Sequence, residues 1–132
     1  MASSFDHVSA ISLFVEDLQA AKDFYSSVFR VPVVFEDATS VALRLKNLIV
    51  NLLQTDSANE LVEPLSVGSR ESGPRFQLSI WVPDVDAVCV ELQRRGVKLL
   101  SGPTDRPWGM RTASFVDPAG HSWEVGQSTT GT

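Results

Sequence analysis

The sequence lacks the features that mark secreted and membrane-spanning proteins. It has one cysteine, Cys89, which cannot form an internal disulfide and so fits a reducing compartment. No apolar run is long enough to cross a bilayer. The N-terminal stretch MASSFDHVSA has neither the basic start nor the apolar middle of a signal peptide. We therefore expect a cytoplasmic protein that does not use a membrane as its partner.

Positive charge is also scarce. Eleven Lys and Arg residues stand against sixteen Asp and Glu residues, which gives a net charge of −5. Binding to phosphates requires a concentrated basic surface, so we do not expect a nucleic-acid partner. The negative balance mildly favours a cationic ligand. With 43% hydrophobic residues among 132, the chain is expected to form a single domain over residues 1–132.

The first half of the chain predicts a β-α-β-β-β module over residues 6–54. Residues 8–15 alternate as a strand, and Asp17 then offers an acceptor for the first amides of an amphipathic helix. Three more strands are predicted at residues 32–36, 40–45 and 48–53.

Residues 55–74 differ from both halves because they are rich in Ser, Gly, Pro and acidic groups. We predict a linker or lid there. Its length is unusual inside a compact domain, which favours a segment that covers a site or reaches a partner subunit. A solvated connector explains the composition equally well.

The second half predicts the same plan over residues 75–127, followed by a flexible tail at residues 128–132. A strand at 76–82 precedes a helix that Asp84 caps and Gly96 ends, with Cys89 on its apolar stripe. A strand at 97–100, a loop at 101–109 and a hairpin of residues 111–116 and 121–125 complete the module. FVEDLQAA and WVPDVDAV repeat at an offset of 67 residues, 81 − 14 = 67. The predicted fold class is α+β: two curved mixed sheets form a cleft, with the helices on the outer face.

Alternation along the strands separates a helix-facing side from a second, open side. Trp123 is assigned to the helix-facing side and to the core, whereas Glu124 points the other way. On the last strand, Ser122 shares the open face with Glu124. The open faces of three other strands carry apolar and polar residues: Ala10, Ser12 and Phe14; Ile49, Asn51 and Leu53; Gln77, Ser79 and Trp81.

The paired modules, the strand that runs into V-x-D-L and the closing D-P-x-G-x-x-W-E resemble the vicinal oxygen chelate superfamily. This superfamily contains glyoxalase I, extradiol dioxygenases and bleomycin-resistance proteins. The resemblance covers nearly the whole chain. It implies a cleft between modules, often completed by homodimerisation.

Metal-dependent members hold a divalent ion with His or Glu side chains on the first and last strands of each module. The resemblance places those positions at Ala10, Asn51, Gln77 and Glu124. Alanine has no donor atom in its side chain, and neutral amide oxygens bind transition metals weakly. By spacing and strand parity, His7 and His121 cannot complete the set. We therefore predict that the protein has no metal and no cofactor, and that it is closest in character to the metal-free bleomycin-resistance proteins.

The open faces instead suit the capture of a small organic molecule, aromatic or cationic and possibly an antibiotic. Trp108 and Arg111 are added because bleomycin-binding relatives carry a similar W-G-x-R segment near the pocket. The predicted ligand-binding residues are Phe14, Asn51, Gln77, Ser79, Trp81, Trp108, Arg111 and Glu124.

Several alternatives remain open at this point. Phe14 and Trp81 could fill a collapsed core, and Glu124 could form a structural ion pair with Arg111. The sequence does not decide which face Arg111 occupies. Instead of a binder, the chain could be a metal-dependent lyase, isomerase or dioxygenase, an enzyme in which Glu124 acts as a general base, or a protein-interaction subunit. No nucleophile motif is present, and Cys89 lies on a predicted core stripe.

Overall fold

A computed structural model describes residues 4–130, and contacts between residues divide it into two compact units that meet at Ser69 and Arg70. The first unit contains strands β1 (Ala10–Val15), β2 (Val33–Glu36), β3 (Ser40–Arg44) and β4 (Ile49–Gln54) and helices α1 (Leu18–Phe24) and α2 (Thr55–Val62). A π-helical turn, Tyr25–Phe29, follows α1. The second unit contains a 3-10 turn (Arg70–Ser72), strands β5 (Gln77–Trp81), β6 (Ser101–Arg106), β7 (Met110–Val116) and β8 (Ser122–Ser128) and helix α3 (Val85–Arg94).

Each unit has one four-stranded mixed sheet, and the strand orders are equivalent. The orders are β1-β4-β3-β2 and β5-β8-β7-β6, with the first strand of each unit parallel to the last. The predicted α+β class and the two β-α-β-β-β modules are confirmed. The internal repeat at an offset of 67 residues is also seen in the structure. Asp17 accepts a hydrogen bond from the Ala20 amide, and Asp84 accepts the equivalent hydrogen bond from the Ala87 amide, 84 − 17 = 67.

Helices α1 and α3 each cover one face of their own sheet. In the second unit, Val85, Cys89 and Leu92 of α3 are buried, as are Phe115 and Trp123 of the sheet. The expectation that Trp123 and Cys89 belong to the core is therefore confirmed. The period-two alternation of the strands puts the apolar side chains under the helix and leaves the polar set on the other face.

Two predictions of local structure need correction. Residues 97–100 are not a strand, and the strand lies instead at Ser101–Arg106, in the segment predicted as a loop. The register of β6 shifts between Ser101 and Thr104, at Gly102-Pro103, so the turn-forming dipeptide marks an irregularity in an edge strand.

The segment 55–74 contains helix α2, which the sequence analysis did not predict. Its Ala58 is fully buried, and the helix packs against β1 and β4 of the first unit.

Within the predicted tail, Ser128 ends β8, and the Thr129 amide donates to the Gly109 carbonyl at 2.9 Å. Residues 131 and 132 of that tail lie outside the described residues. None of the helices in residues 4–130 has the length and apolar character of a membrane span.

Candidate ligand-binding site

An open groove of about 820 Å³ lies in the second unit, at the end of strand β5. Two tryptophans line it, Trp81 from the end of β5 and Trp108 from the turn between β6 and β7. The remaining lining residues come from the segment after β5 and from strands β7 and β8: Val82, Pro83, Met110, Gly126, Gln127 and Ser128. None of the described residues that line the groove is acidic or basic, so this surface is aromatic and largely apolar.

Both tryptophans present their rings to solvent. Trp81 is 65% exposed and Trp108 is 68% exposed. Burying this much aromatic surface is ordinarily favourable, so exposed indoles side by side in a concave surface are typical of a binding site. One alternative interpretation of the sequence was that Trp81 fills a collapsed core. Its exposure shows that it does not.

A row of polar side chains continues from Trp81 along the same sheet face. The Gln77 amide donates to Ser122 Oγ at 2.9 Å, and the Ser79 hydroxyl donates to Glu124 Oε1 at 2.9 Å. The strand register pairs Ser79 with Glu124 and Trp81 with Gly126. Glu124 thus lies about 7 Å along β8 from Gly126, which lines the groove.

Arg111 lies on the opposite face of the sheet. Its guanidinium contacts Asp86 of helix α3 at 3.0 Å and Asp105 of β6 at 3.1 Å. Hydrogen bonds to Asp86, and then to Asp105, raise the pKa of Arg111 above its usual value. The Arg111–Glu124 pair considered from sequence does not form. Ala113 and Phe115 have the same strand parity as Arg111, and both are buried. Their apolar character was the sequence signal that could have assigned Arg111 to the helix-facing side of the sheet.

Phe14 and Asn51 lie in the first unit, on the corresponding face of its sheet. Asn51 Nδ2 approaches Ser12 Oγ at 3.5 Å, and Phe14 is half-buried beside Leu53. The groove of the second unit therefore includes only Trp81 and Trp108 of the predicted ligand-binding residues, with Gln77, Ser79 and Glu124 next to it on the same sheet face.

Sequence reasoning missed several lining residues, chiefly Met110 and Gly126. Gly126 has the same parity as Glu124 on β8, so alternation alone assigns it to the open face. Its position beside Trp81 depends on the parallel register of β5 and β8, which neither strand reveals by itself.

Comparison with known families agrees with this architecture. The model of the glyoxalase/bleomycin resistance protein/dioxygenase superfamily matches residues 4–125. The chain belongs to this superfamily. The resemblance to the vicinal oxygen chelate proteins seen in the sequence is thereby confirmed.

Solved structures of the superfamily's fold are similar over nearly the whole chain. A glyoxalase/bleomycin resistance protein/dioxygenase from Nocardioides is 21% identical with a TM-score of 0.88, covering 99% of this chain and 89% of that one. A lactoylglutathione lyase from Agrobacterium tumefaciens is 21% identical with a TM-score of 0.76, covering 98% of each chain. TnmS3, an antibiotic-binding protein from Streptomyces sp. CB03234, is 28% identical with a TM-score of 0.70, covering 96% of this chain and 99% of that one.

The donor set of the superfamily's metal position does not suit a transition-metal ion in this member. Ala10 supplies no side-chain donor, and Asn51 and Gln77 offer only neutral amide oxygens, which bind transition metals weakly. Glu124 is the only carboxylate among these four positions. Residues 4–130 contain no group of three or more His, Cys, Asp or Glu side chains placed to hold an ion. His121 instead lies directly after the turn between β7 and β8, with its Nδ1 2.9 Å from the buried Asp117 carboxylate.

Cys89 does not offer a nucleophile. The thiol is 3% exposed, and burial, reinforced by the nearby Asp86 charge, raises its pKa. A raised pKa keeps the sulfur protonated near neutral pH, whereas the thiolate is the reactive form. Cys89 is a core residue of α3.

Proposed function

We propose that the protein is a metal-independent binder of a planar aromatic molecule that carries a cationic group, and that it holds the ring in the groove lined by Trp81 and Trp108. The pair of exposed indoles in one concave, largely apolar surface carries this proposal. The bound molecule is an antibiotic or a metabolite of similar shape.

The indoles supply the main binding energy. A flat ligand about the size of an indole buries roughly 150–250 Å² of its surface, which corresponds to about 4–6 kcal/mol at 25 cal/mol per Å². Stacking geometry adds about 0.5–1.5 kcal/mol for an aromatic pair. Lost translational and rotational freedom offsets much of this gain, so binding in the micromolar range is expected.

Glu124 supplies a preference for positive charge. Its carboxylate lies on the face that leads into the groove, where Gln77 also offers polar atoms. An ammonium or guanidinium group on the ring system can reach Glu124, and a charge-assisted hydrogen bond is stronger than a neutral one. The net charge of −5 acts in the same direction at long range.

The solved structures give this proposal its context. TnmS3 is described as an antibiotic-binding protein, and at 28% identity it supports a binding function more than the lyase at 21%, whose similarity concerns the fold alone. The metal-dependent alternative needs several strong donor atoms, whereas Gln77 offers a neutral amide beside the single carboxylate of Glu124. Residues 4–130 contain no group of three or more His, Cys, Asp or Glu side chains that could hold an ion.

The proposal is tested with two matched ring compounds, 9-anthracenemethanol (neutral) and 9-(aminomethyl)anthracene (cationic at pH 7). Anthracene fluorescence anisotropy is measured in EDTA with the native chain and with Trp81→Ala, Trp108→Ala and Glu124→Gln. Each tryptophan variant should weaken binding of both compounds by about 10-fold, corresponding to the loss of one stacking partner. Glu124→Gln should weaken only the cationic compound, by about 2- to 5-fold, and high salt should do the same.

Phe76→Ala is the matched control because Phe76 is a 53% exposed aromatic residue of the same unit outside the groove. It should bind both compounds like the native chain. Equal binding by the native chain and both tryptophan variants would refute the proposal. Binding that appears only after zinc, nickel, manganese or iron is added would favour the enzyme alternative, and no response to any compound would favour a protein-interaction subunit.

We also propose that the chain acts as a homodimer, as members of this superfamily often do. Strand β2 supports this proposal, because its apolar Val33, Val34 and Phe35 are 37%, 45% and 56% exposed at a sheet edge. Exposed apolar edges favour pairing with another chain. Light scattering should give twice the mass of 14.4 kDa, and Phe35→Lys should reduce it to the monomer value. A monomeric native chain would contradict the dimer.

A further inference from the structure

A glycine lies directly beneath the indole of Trp81. The register of β5 and β8 pairs Trp81 with Gly126, and the Val82 amide donates to the Gly126 carbonyl at 2.8 Å. A Cβ atom built on Gly126 would lie 2.7 Å from Cζ3 and 2.9 Å from Cε3 of Trp81, and 3.2 Å from Cε of Met110. Real Cβ atoms do not approach neighbours below 3.0 Å, so the indole occupies space that any side chain at this position would need.

Backbone conformation does not explain this glycine. Gly126 lies inside a regular strand and has no positive φ, unlike Gly96, Gly102 and Gly109. Glycine weakens a strand interior because it adds backbone freedom and packs no side chain. What the glycine provides here is room for the indole on the sheet surface.

The internal repeat provides a comparison for this position. In the first unit, the residue paired with Phe14 is Leu53, whereas in the second unit the residue paired with Trp81 is Gly126. Phe14 is half-buried beside its leucine. Trp81 covers its glycine and keeps 65% of its surface exposed, and it lines the groove. The unit with glycine at this paired position is thus the one in which the aromatic ring is exposed and lines the groove.

We propose that Gly126 is a positioning residue for ligand recognition: it lets the indole of Trp81 lie on strand β8, where the ring forms one wall of the groove. This inference rests on the proposed function. According to this inference, the preference of the groove for flat ligands depends on Gly126, a residue that has no side chain to contact the ligand. A residue with a Cβ at 126 turns the indole away from the sheet while the fold is retained, because the clashing atoms are at the far end of the Trp81 side chain.

The test uses Gly126→Ala and 9-anthracenemethanol, with anthracene anisotropy as the measurement. Gly126→Ala should weaken binding by about 2- to 10-fold, the range expected for loss of an oriented aromatic contact. Gly68→Ala is the matched control, since Gly68 is exposed with nothing within 4 Å of its added Cβ, and it should bind like the native chain. 1-Adamantanemethanol, a bulky alcohol without a flat ring, should compete poorly with the native chain and equally poorly with Gly126→Ala.

A double-mutant cycle separates positioning from a general structural effect. In a Trp81→Phe background the ring is smaller, so adding Gly126→Ala should change affinity by less than about 1.5-fold. Undiminished weakening in that background would overturn the inference. Native-like affinity of Gly126→Ala would also overturn it if Trp81→Ala still binds weakly, and the proposed function would then stand. Native-like affinity of both variants would instead refute the proposed function.

A measurement on the unaltered chain makes the inference independent of how Gly126→Ala folds. Nuclear Overhauser effects should connect the Cε3 and Cζ3 protons of Trp81 to the α-protons of Gly126. Strong effects are the expected result. Their absence from a spectrum that shows the protons of both residues would overturn the inference.

Discussion

Single carboxylates stabilise the turns of this protein through hydrogen bonds to backbone amides. Asp37, between β2 and β3, accepts from the Thr39 amide at 2.9 Å and from the Ser40 amide at 2.9 Å. The hydrogen bond from Thr39, followed by those from Ser40, lowers the pKa of Asp37 below its usual value of 3.8. Asp117 has the equivalent role between β7 and β8, where it accepts from the Ala119 and His121 amides.

The lowered pKa of Asp37 predicts an acid-dependent loss of stability. Because the folded state prefers the ionised carboxylate, the stabilisation is complete above pH 3.8 and is lost as the pH falls through the lower folded-state pKa. Asp37→Ala should therefore unfold at lower urea concentration than the native chain at pH 7, and the difference should shrink below pH 3.8. Asp6→Ala, which removes an exposed carboxylate, is the control. A difference that persists unchanged at pH 2 would contradict this account.

At the scale of elements, strand β6 depends on Gly102. This residue has a φ of +84°, and a Cβ there would overlap the Thr112 carbonyl oxygen and lie 2.9 Å from Ala113 Cα. Both atoms belong to the backbone of β7 and cannot move away. Gly102→Ala should therefore destabilise the fold by about 3 kcal/mol, from overpacking together with left-handed backbone strain. Urea unfolding measures the loss, with Gly68→Ala as a control near zero, and a change below about 1 kcal/mol would show that β6 adapts.

Some elements of the fold could be predicted from local sequence signals, whereas strand β6 and helix α2 could not. Strands β1, β5 and β7 and the capped helices α1 and α3 were predictable because alternation and an aspartate cap are local signals. Strand β6 was not, because Gly102-Pro103 is a turn signal and only pairing with β7 makes a bulged strand of it. Helix α2 was missed because its segment is mostly polar and a single small residue, Ala58, makes its buried contact.

The candidate site was predictable only in part for a related reason. Alternation correctly assigned Gln77, Ser79, Trp81 and Glu124 to one face, and the paired hydrogen bonds between β5 and β8 agree with it. The contact between Trp81 and Gly126 could not be predicted, because it depends on the register between β5 and β8. These two residues are 45 positions apart in sequence, 126 − 81 = 45. The face of Arg111 required its partner Asp86 on another element.

At the scale of the whole molecule, membership of the superfamily does not determine whether this chain uses a metal. If a site for zinc, nickel, manganese or iron existed, filling it at 100 times its Kd would add about 2.7 kcal/mol of stability, which is about 10 °C in Tm for a chain of this size. We expect no such shift for the EDTA-treated chain. Elemental analysis should likewise find no stoichiometric ion. Bound metal that is lost together with function in Glu124→Gln would contradict the metal-free account.

The most direct test of the account is a crystal structure of the EDTA-treated chain with 9-(aminomethyl)anthracene. We predict density for the ring system against Trp81 and Trp108, with the ammonium group directed toward Glu124. A ring bound elsewhere on the chain, or a cation held by Glu124 together with other side chains, would contradict it.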